Sequence, residues 1–512
     1  MKEPSLGVPT LAGLLGLLTV FCAAAKGAYD LWASLAFVLA TLALFAGSAI
    51  RAAWKDEGWR LCAWAPTAAA AAGFAASLIS PLNPAESWTV VPSWIAAALV
   101  FPLACRAFQT EADFDRFLRL LVPFFSLQAA LVAREQLSSV PLFFDQSAGL
   151  LFDANASAAF CVAWIPPLAA RALRGRGETG RWPGYWSAGL IAALIAFAGA
   201  KSVWGFIALA APLPWLLGPR FGRREKSFVV VAAAAAAVWK FGGSSDRLGW
   251  WATGLRMFAD APWTGVGLGG YASAFLAYRV GGGVQTVSAH GAPVQLLAET
   301  GMLGTGALAW ALLAAGRGRL RAAIAGRRGA AFGLLALGVF SLASVCFEFP
   351  VNLLSFSLLA GAAFGAVPEP TRPLPKAAAV MIAAACLAVS PFLIAPWQAS
   401  RAVVSGQEAL IRNDHGEAER YFSAAGAMDR RSFEARRGLA RVLFRRGDAG
   451  AAVRVQREAI ARNPLNGVLW LELGAYLSAL GRESESAKAL GRAEVLSAGL
   501  LQRNMSSMPK SP

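Results

Sequence analysis

Apolar runs about as long as a bilayer core is thick recur along the first four hundred residues, and they restrict the possible folds more than any other feature of the chain. Crossing a bilayer takes roughly 20 apolar residues in a helix. Only helices or closed barrels satisfy their backbone hydrogen bonds there. The runs are continuous rather than alternating, which selects helices over barrel strands. Thirteen stretches qualify, near 8–25, 31–50, 61–79, 91–107, 118–133, 156–172, 186–200, 202–217, 227–239, 293–315, 330–347, 351–367 and 377–396. With 57% hydrophobic and 15% charged residues, the chain lies far from the balance of a soluble globular protein. The expected fold is all-α: a polytopic bundle of twelve or thirteen spans over residues 1–397, followed by a helical domain at 398–500 and a flexible tail at 501–512.

The first run follows Lys2, as a signal peptide would. No cleavage motif leads into a soluble chain and further spans follow at once, so it reads as a retained span. All six cysteines lie in or beside apolar runs, where thiols behave as small hydrophobes, and no disulfide or metal spacing is visible.

The net charge of +17 has a topological meaning rather than a nucleic-acid one. Alternate connections carry clusters such as Arg171, Arg174, Arg176 and Arg181, or Arg317, Arg319, Arg321, Arg327 and Arg328. The connections between them carry scattered cations: Lys26, Arg134, Lys201, Lys240, Arg247, Arg256 and Arg279. The positive-inside rule then places the amino terminus in the cytoplasm and the long connection at about 240–292 outside. With thirteen spans the domain after Pro396 also emerges outside. The basic loops themselves are read as topology signals and lipid headgroup contacts.

After Trp397 a 34-residue period appears. Trp470, Leu473, Gly474, Leu477 and Gly481 are echoed by Arg436, Leu439, Ala440, Leu443 and Gly447, with Pro464 between the units. This spacing resembles tetratricopeptide repeats, whose helix pairs stack into an α-solenoid able to bind peptides or protein partners.

The external connection holds the chemistry. Asp246 to Asp260 reads as an amphipathic helix with Leu248, Trp251, Leu255 and Phe258 on one stripe, suited to the membrane interface. In PWTGVGLGGY, Gly267 and Gly269 either form a plain turn or bring backbone amides to a phosphate. His290, one of two histidines, ends the connection, and an imidazole titrating near neutrality suits a general base. Glu299 falls early in the next span and needs a cation or a helix-start amide. Lys201 either anchors a turn or meets an anion, and Asn155 either caps a helix or touches sugar.

PWTGVGLGGY followed by AHGAPVQLLAETGMLG resembles the signature of the O-antigen ligase and polymerase superfamily, PxxGxGxGxF and then HNxxLQxLxExGxxG. DRLGWW, AKSVWG and FDANASAAF resemble its RxxxW helix, its S-R-G-like turn and its NPN-like helix start. Gly291 stands where the family has Asn, and Lys201 where it has Arg, which keeps charge without a bidentate fork. The resemblance implies a metal-independent, inverting, cofactor-free glycosyltransferase of the bacterial inner membrane. Its donor would be an undecaprenyl-diphosphate-linked glycan on the periplasmic side. Arg247, Lys201 and Arg256 would bind the diphosphate, His290 would orient or deprotonate the acceptor, and Glu299 would hold the loop. Lipid A-core, glycan or protein acceptors remain open, so ligase, polymerase and protein O-oligosaccharyltransferase are all compatible. A transporter or a non-catalytic scaffold is the rival of another class; the first predicts charges in midplane helices, and none is visible.

Overall fold

The computed structural model describes residues 10–80, 82, 84–138, 148–151, 153–173, 183–200, 202–210, 245–280, 286–317, 319–344, 346–365 and 371–497. The expected span at 227–239, the end of that at 202–217, Lys201 and the tail lie outside them. The apolar runs within them form helices: Leu11–Ala24, Leu31–Trp54, Leu61–Ala76, Pro84–Ala107, Glu111–Ser138, Ala154–Ala172, Pro183–Gly199, Val203–Ala210, Ala292–Gly316, Arg328–Ser341, Pro350–Phe364 and Lys376–Ile411. Among the described residues five helices are long and apolar enough to cross a membrane, and shorter apolar helices pack among them. The chain is a multi-pass helical membrane protein. One small departure from all-α is an antiparallel pair of short strands, in which Gly58 faces Pro373 and Arg60 faces Thr371.

Small residues let the helices approach closely, as expected where lipid supplies little hydrophobic drive for association. Gly73 sits so near Gly304 and Ala307 that a side chain at Gly73 would meet both. Trp164 is fully buried and donates to the Ser355 hydroxyl at 3.1 Å. At one end of the bundle, Arg171 pairs with Glu111 and with Asp115 (2.5 Å), and Arg327 pairs with Glu111 at 3.3 Å. Both guanidinium groups lie over the Phe114 ring.

The boundary expected at 397 falls inside a helix. Lys376–Ile411 runs unbroken past Pro391 and Pro396, each of which removes one hydrogen bond without ending it. It leads into the helices His415–Met428, Phe433–Arg445, Ala449–Arg462, Gly467–Ser478 and Glu483–Ser497, each packed on the one before. Side chains of Asp414, Ser432, Asp448 and Asn466 cap four of them. Gly406 and Gly438 both receive the ring of Phe422. This helical array folds back onto the bundle, with Leu465, Trp470 and Leu496 joining Trp250, Trp251, Tyr271 and Phe275 in one apolar cluster. The array and the 245–298 segment therefore share one end of the molecule, opposite the Arg171 cluster. Along Ala154–Ala172, Asn155 near one end and Arg171 near the other are about 24 Å apart at 1.5 Å per residue.

Candidate active site

The site is built on a broken helix. In Ala292–Gly316 the backbone at Gly301 has φ 58° and ψ −158°, which interrupts the ladder and strands carbonyls and amides on either side. The glycine-rich turn takes them up. Val266 and Gly267 donate to the carbonyls of Ala298 (2.8 Å) and Glu299 (3.0 Å), while Met302 and Leu303 donate to those of Pro262 (2.8 Å) and Trp263 (3.1 Å). A Cβ on Gly265 or Gly301 would overlap the facing backbone. The glycines thus bring two backbones together.

That use changes the reading of Gly267 and Gly269. The Gly267 amide is spent on the Glu299 carbonyl, and the amides of Gly269 and Tyr271 point at the Glu299 carboxylate, Tyr271 at 3.1 Å. Neither glycine presents a free amide to a phosphate. Glu299, buried, caps the start of the short helix Tyr271–Tyr278, the helix-start partner its position required. The Tyr271 hydroxyl donates to the Trp250 carbonyl at 2.7 Å, tying this turn to the helix Ser245–Asp260.

That helix leaves Leu248 and Leu255 of its expected stripe on the outside and packs inward through another face. Thr253, Gly254 and Met257 are buried, whereas Leu248 and Leu255 are exposed. Gly254 admits Val294 and Tyr271, and this close approach outweighs the larger apolar residues in setting the inner face. Arg247 and Arg256 lie nine positions apart, about two and a half turns, and so project on opposite sides. Arg256 is exposed and reaches the Arg279 carbonyl at 3.5 Å. Arg247 is half-buried, lies over the Trp204 ring at 5.4 Å and donates to the Ala343 carbonyl. Burial lowers its pKa. Among the described residues no carboxylate pairs with it.

His290 stacks on Trp250 with ring centroids 4.7 Å apart. Its backbone has φ +50°, a strained region for a side chain of this size, and its amide donates to the Ser288 hydroxyl at 3.4 Å. Burial, and then the nearby Arg247, push its imidazole down to about 4. His290 is therefore neutral near pH 7. Asn155 is not the cap of its helix; Asp153 is, accepting from the amides of Asn155 (2.8 Å) and Ala156 (2.9 Å). The Asn155 side chain instead accepts from the Ser344 hydroxyl at 3.4 Å.

A cavity of about 280 Å³ has walls that include Tyr29, Gln295, Glu299, Ser344 and Glu348; Asn155 bonds to its wall at Ser344, and Arg247 bonds to the neighbouring Ala343. Gln295 is its hub. Its amide nitrogen donates to Glu299 (3.3 Å) and Glu348 (2.9 Å), and its oxygen accepts from the Ala289 amide (3.2 Å). Burial pushes the Glu348 carboxyl up to about 7; Asp153 adds to the rise, while donors from Gln295 and Ser288 oppose it. Gln295 and Glu348 escaped the sequence reading, although Gln295 falls on the Gln of the LQ pair in the resembled signature. A second, apolar cavity of about 580 Å³ lies between the spans and shares Trp94, Ala292, Leu296 and Phe347 with the first.

At one end of a membrane bundle a polar cavity thus backs onto an apolar one, and Arg247, which pairs with no carboxylate among the described residues, bonds to Ala343 beside the cavity residue Ser344. Residues 182–309 match the family model described as O-antigen ligase. The match spans a quarter of the chain and includes Lys201, Arg247, Arg256, Gly267, Gly269, His290 and Glu299. It supports the O-antigen ligase superfamily and, with it, a membrane enzyme that transfers glycan. No curated protein matches the chain.

Proposed function

We propose that this protein transfers a glycan from an undecaprenyl-diphosphate carrier to an acceptor hydroxyl at the periplasmic face of the bacterial inner membrane. The observation that carries the reading is the polar cavity sharing a wall with the apolar one. A carrier of this kind has a charged head and a long hydrocarbon tail, and the paired cavities offer a place for each. Arg247 binds the diphosphate and stabilises the charge that develops as it leaves. Lys201, two positions before the helix that carries Trp204, supplies a second cation; the exposed Arg256 serves at most at the entrance. His290, neutral and held by Trp250, orients the acceptor hydroxyl through a ring nitrogen. Asn155 and Ser344 hydrogen-bond sugar. Glu299 holds the loop, and Gly267 and Gly269 bind no phosphate directly. The diphosphate is already an activated leaving group, so the displacement inverts the anomeric carbon in one step without nucleotide or metal.

The helical array after Ile411 packs against the site through Leu465, Trp470 and Leu496. That contact favours an acceptor or assembly partner presented by protein, with the array acting as a tetratricopeptide-like peptide-binding platform. A lipid A-core or growing-glycan acceptor is the second reading.

Proteoliposomes holding purified protein, an undecaprenyl-diphosphate oligosaccharide and competing lipid, glycan and peptide acceptors test the proposal. Wild type is expected to transfer, and Arg247→Ala to lose about 10²- to 10³-fold, the range for removing a group that stabilises developing charge. No product with any acceptor, at full protein incorporation, would falsify the transferase reading and favour a scaffold or transporter.

A further inference from the structure

Two carboxylates stand on the wall of the polar cavity, and they are not equivalent. Glu299 is bolted to backbone, accepting from the Gly269 and Tyr271 amides as well as from Gln295. Among the described residues Glu348 is held by side chains, the Gln295 amide at 2.9 Å and the Ser288 hydroxyl. Among the described residues no lysine or arginine forms an ion pair with it. The Ser288 hydroxyl also accepts the His290 amide, so Glu348 lies one hydroxyl away from the strained histidine turn. It comes from the segment between Ser341 and Pro350, the same segment that receives Arg247 at Ala343 and Asn155 at Ser344. Glu348 lies outside the 182–309 match.

We propose that Glu348 is the catalytic base, taking the proton from the acceptor hydroxyl. This rests on the transferase reading and assigns its proton. As the acceptor oxygen forms its bond to the anomeric carbon, the bond from that carbon to the diphosphate oxygen breaks. The electron pair leaves with the diphosphate beside Arg247. The hydroxyl proton passes to a Glu348 carboxylate oxygen and is later released to water. No oxidant or reductant enters.

His290 fits this role less well. Its ring is stacked on Trp250, and its conjugate acid, at about 4, is too strong for the imidazole to be an effective base at neutral pH. Glu348, at about 7, is half ionised where a general base works best. The charged or titratable groups facing it are Glu299 across Gln295, Asp153 and Tyr29 from neighbouring turns, Cys346 on its own segment, and Arg247 and His290 beyond Ala343 and Ser288. Arg247 stays charged over the working range, and burial pushes the Tyr29 phenol up, away from it. The sign follows: the carboxylate forms as pH rises, so the rate of a Glu348-dependent step climbs through pH 7.

The experiment uses full-length protein in proteoliposomes with an undecaprenyl-diphosphate oligosaccharide and the acceptor that wild type prefers, from pH 5 to 9. Glu348→Gln keeps the shape of the side chain and is expected to lose about 10²- to 10⁴-fold in kcat with donor KM unchanged. The rise centred near pH 7 is expected to vanish. Glu348→Asp retains a carboxylate and is expected to recover part of the rate together with a rising limb. His290→Ala is expected to be slower yet keep the limb. A Glu348→Gln enzyme within threefold of wild type, or slow but with the same limb, overturns the assignment while leaving the transferase reading intact. Wild type with no transfer removes both.

Discussion

The two ends of the bundle treat charge in opposite ways. At one end Arg171 and Arg327 are buried, and each meets a carboxylate from Glu111–Ser138, with Phe114 beneath both. At the other end Arg247 has no carboxylate partner among the described residues, and Glu299 and Glu348 are held by amides and hydroxyls rather than cations. Ion pairs internal to a protein satisfy charge and leave little for a ligand. An arginine aimed at a carbonyl and a ring, beside carboxylates held by neutral donors, leaves net charge available to a substrate. The first arrangement fits helices together and the second is poised for chemistry, although both draw on the same residue types.

The strongest way to break this comparison is Arg171→Ala. Removing Arg171 takes a buried cation from Asp115 and leaves Glu111 its contact with Arg327, and breaking a buried pair costs up to about 3–5 kcal/mol. The partly exposed Glu111 (43%) places the expected cost at the lower end of that range. Thermal unfolding in detergent is expected to shift down markedly, while transfer per folded molecule stays at the wild-type rate. A variant with wild-type stability and slow transfer would reverse the assignment of the two ends.

How much of this was legible follows the strength of the local signal. The spans showed because twenty apolar residues in a row have few other uses. The helix through Pro391 and Pro396 did not, because whether proline ends a helix depends on what packs around it. In the site, His290 and Glu299 stood out by scarcity and by the cost of a carboxylate in a span. Glu348 was hidden for a physical reason. Ala343, Cys346 and Phe347 extend the apolar run before it, so the stretch near 330–347 read as one span, whereas the helix ends at Ser341 and the remainder forms a cavity wall. Arg256 looked equivalent to Arg247 by type and neighbourhood, and helical phase separates them. The glycines were read for what they permit, with no means of knowing that the broken backbone at Gly301 would claim their amides.

Gly301→Ala sharpens the comparison from the side of the backbone. A Cβ there meets the Trp263 and Pro262 carbonyl groups, in a conformation that only glycine adopts readily. Strain of this kind costs about 1–3 kcal/mol before any overlap is relieved. Here stability and transfer are expected to fall together, because the turn that carries Glu299 also positions Gln295 and, through it, Glu348. Hydrogen exchange should show the loss of protection confined, among the described residues, to 262–280 and 286–303, with the Arg171 end unchanged.

The smallest effect is expected at Arg256→Ala. By sequence this arginine belonged with Arg247, yet it is exposed, sits on the opposite side of the helix Ser245–Asp260 and reaches only the Arg279 carbonyl. An exposed cation acts on a charged ligand through screened solvent, where a unit charge is worth less than about 1 kcal/mol. Transfer is therefore expected to fall by less than about fivefold, through donor KM alone, and raising salt to 0.5 M should erase the difference by shortening the Debye length to about 4 Å. A loss in kcat that persists in high salt would place Arg256 in contact with the diphosphate. It would mean that the helix rotates when substrate binds and that the contrast between its two arginines does not survive binding.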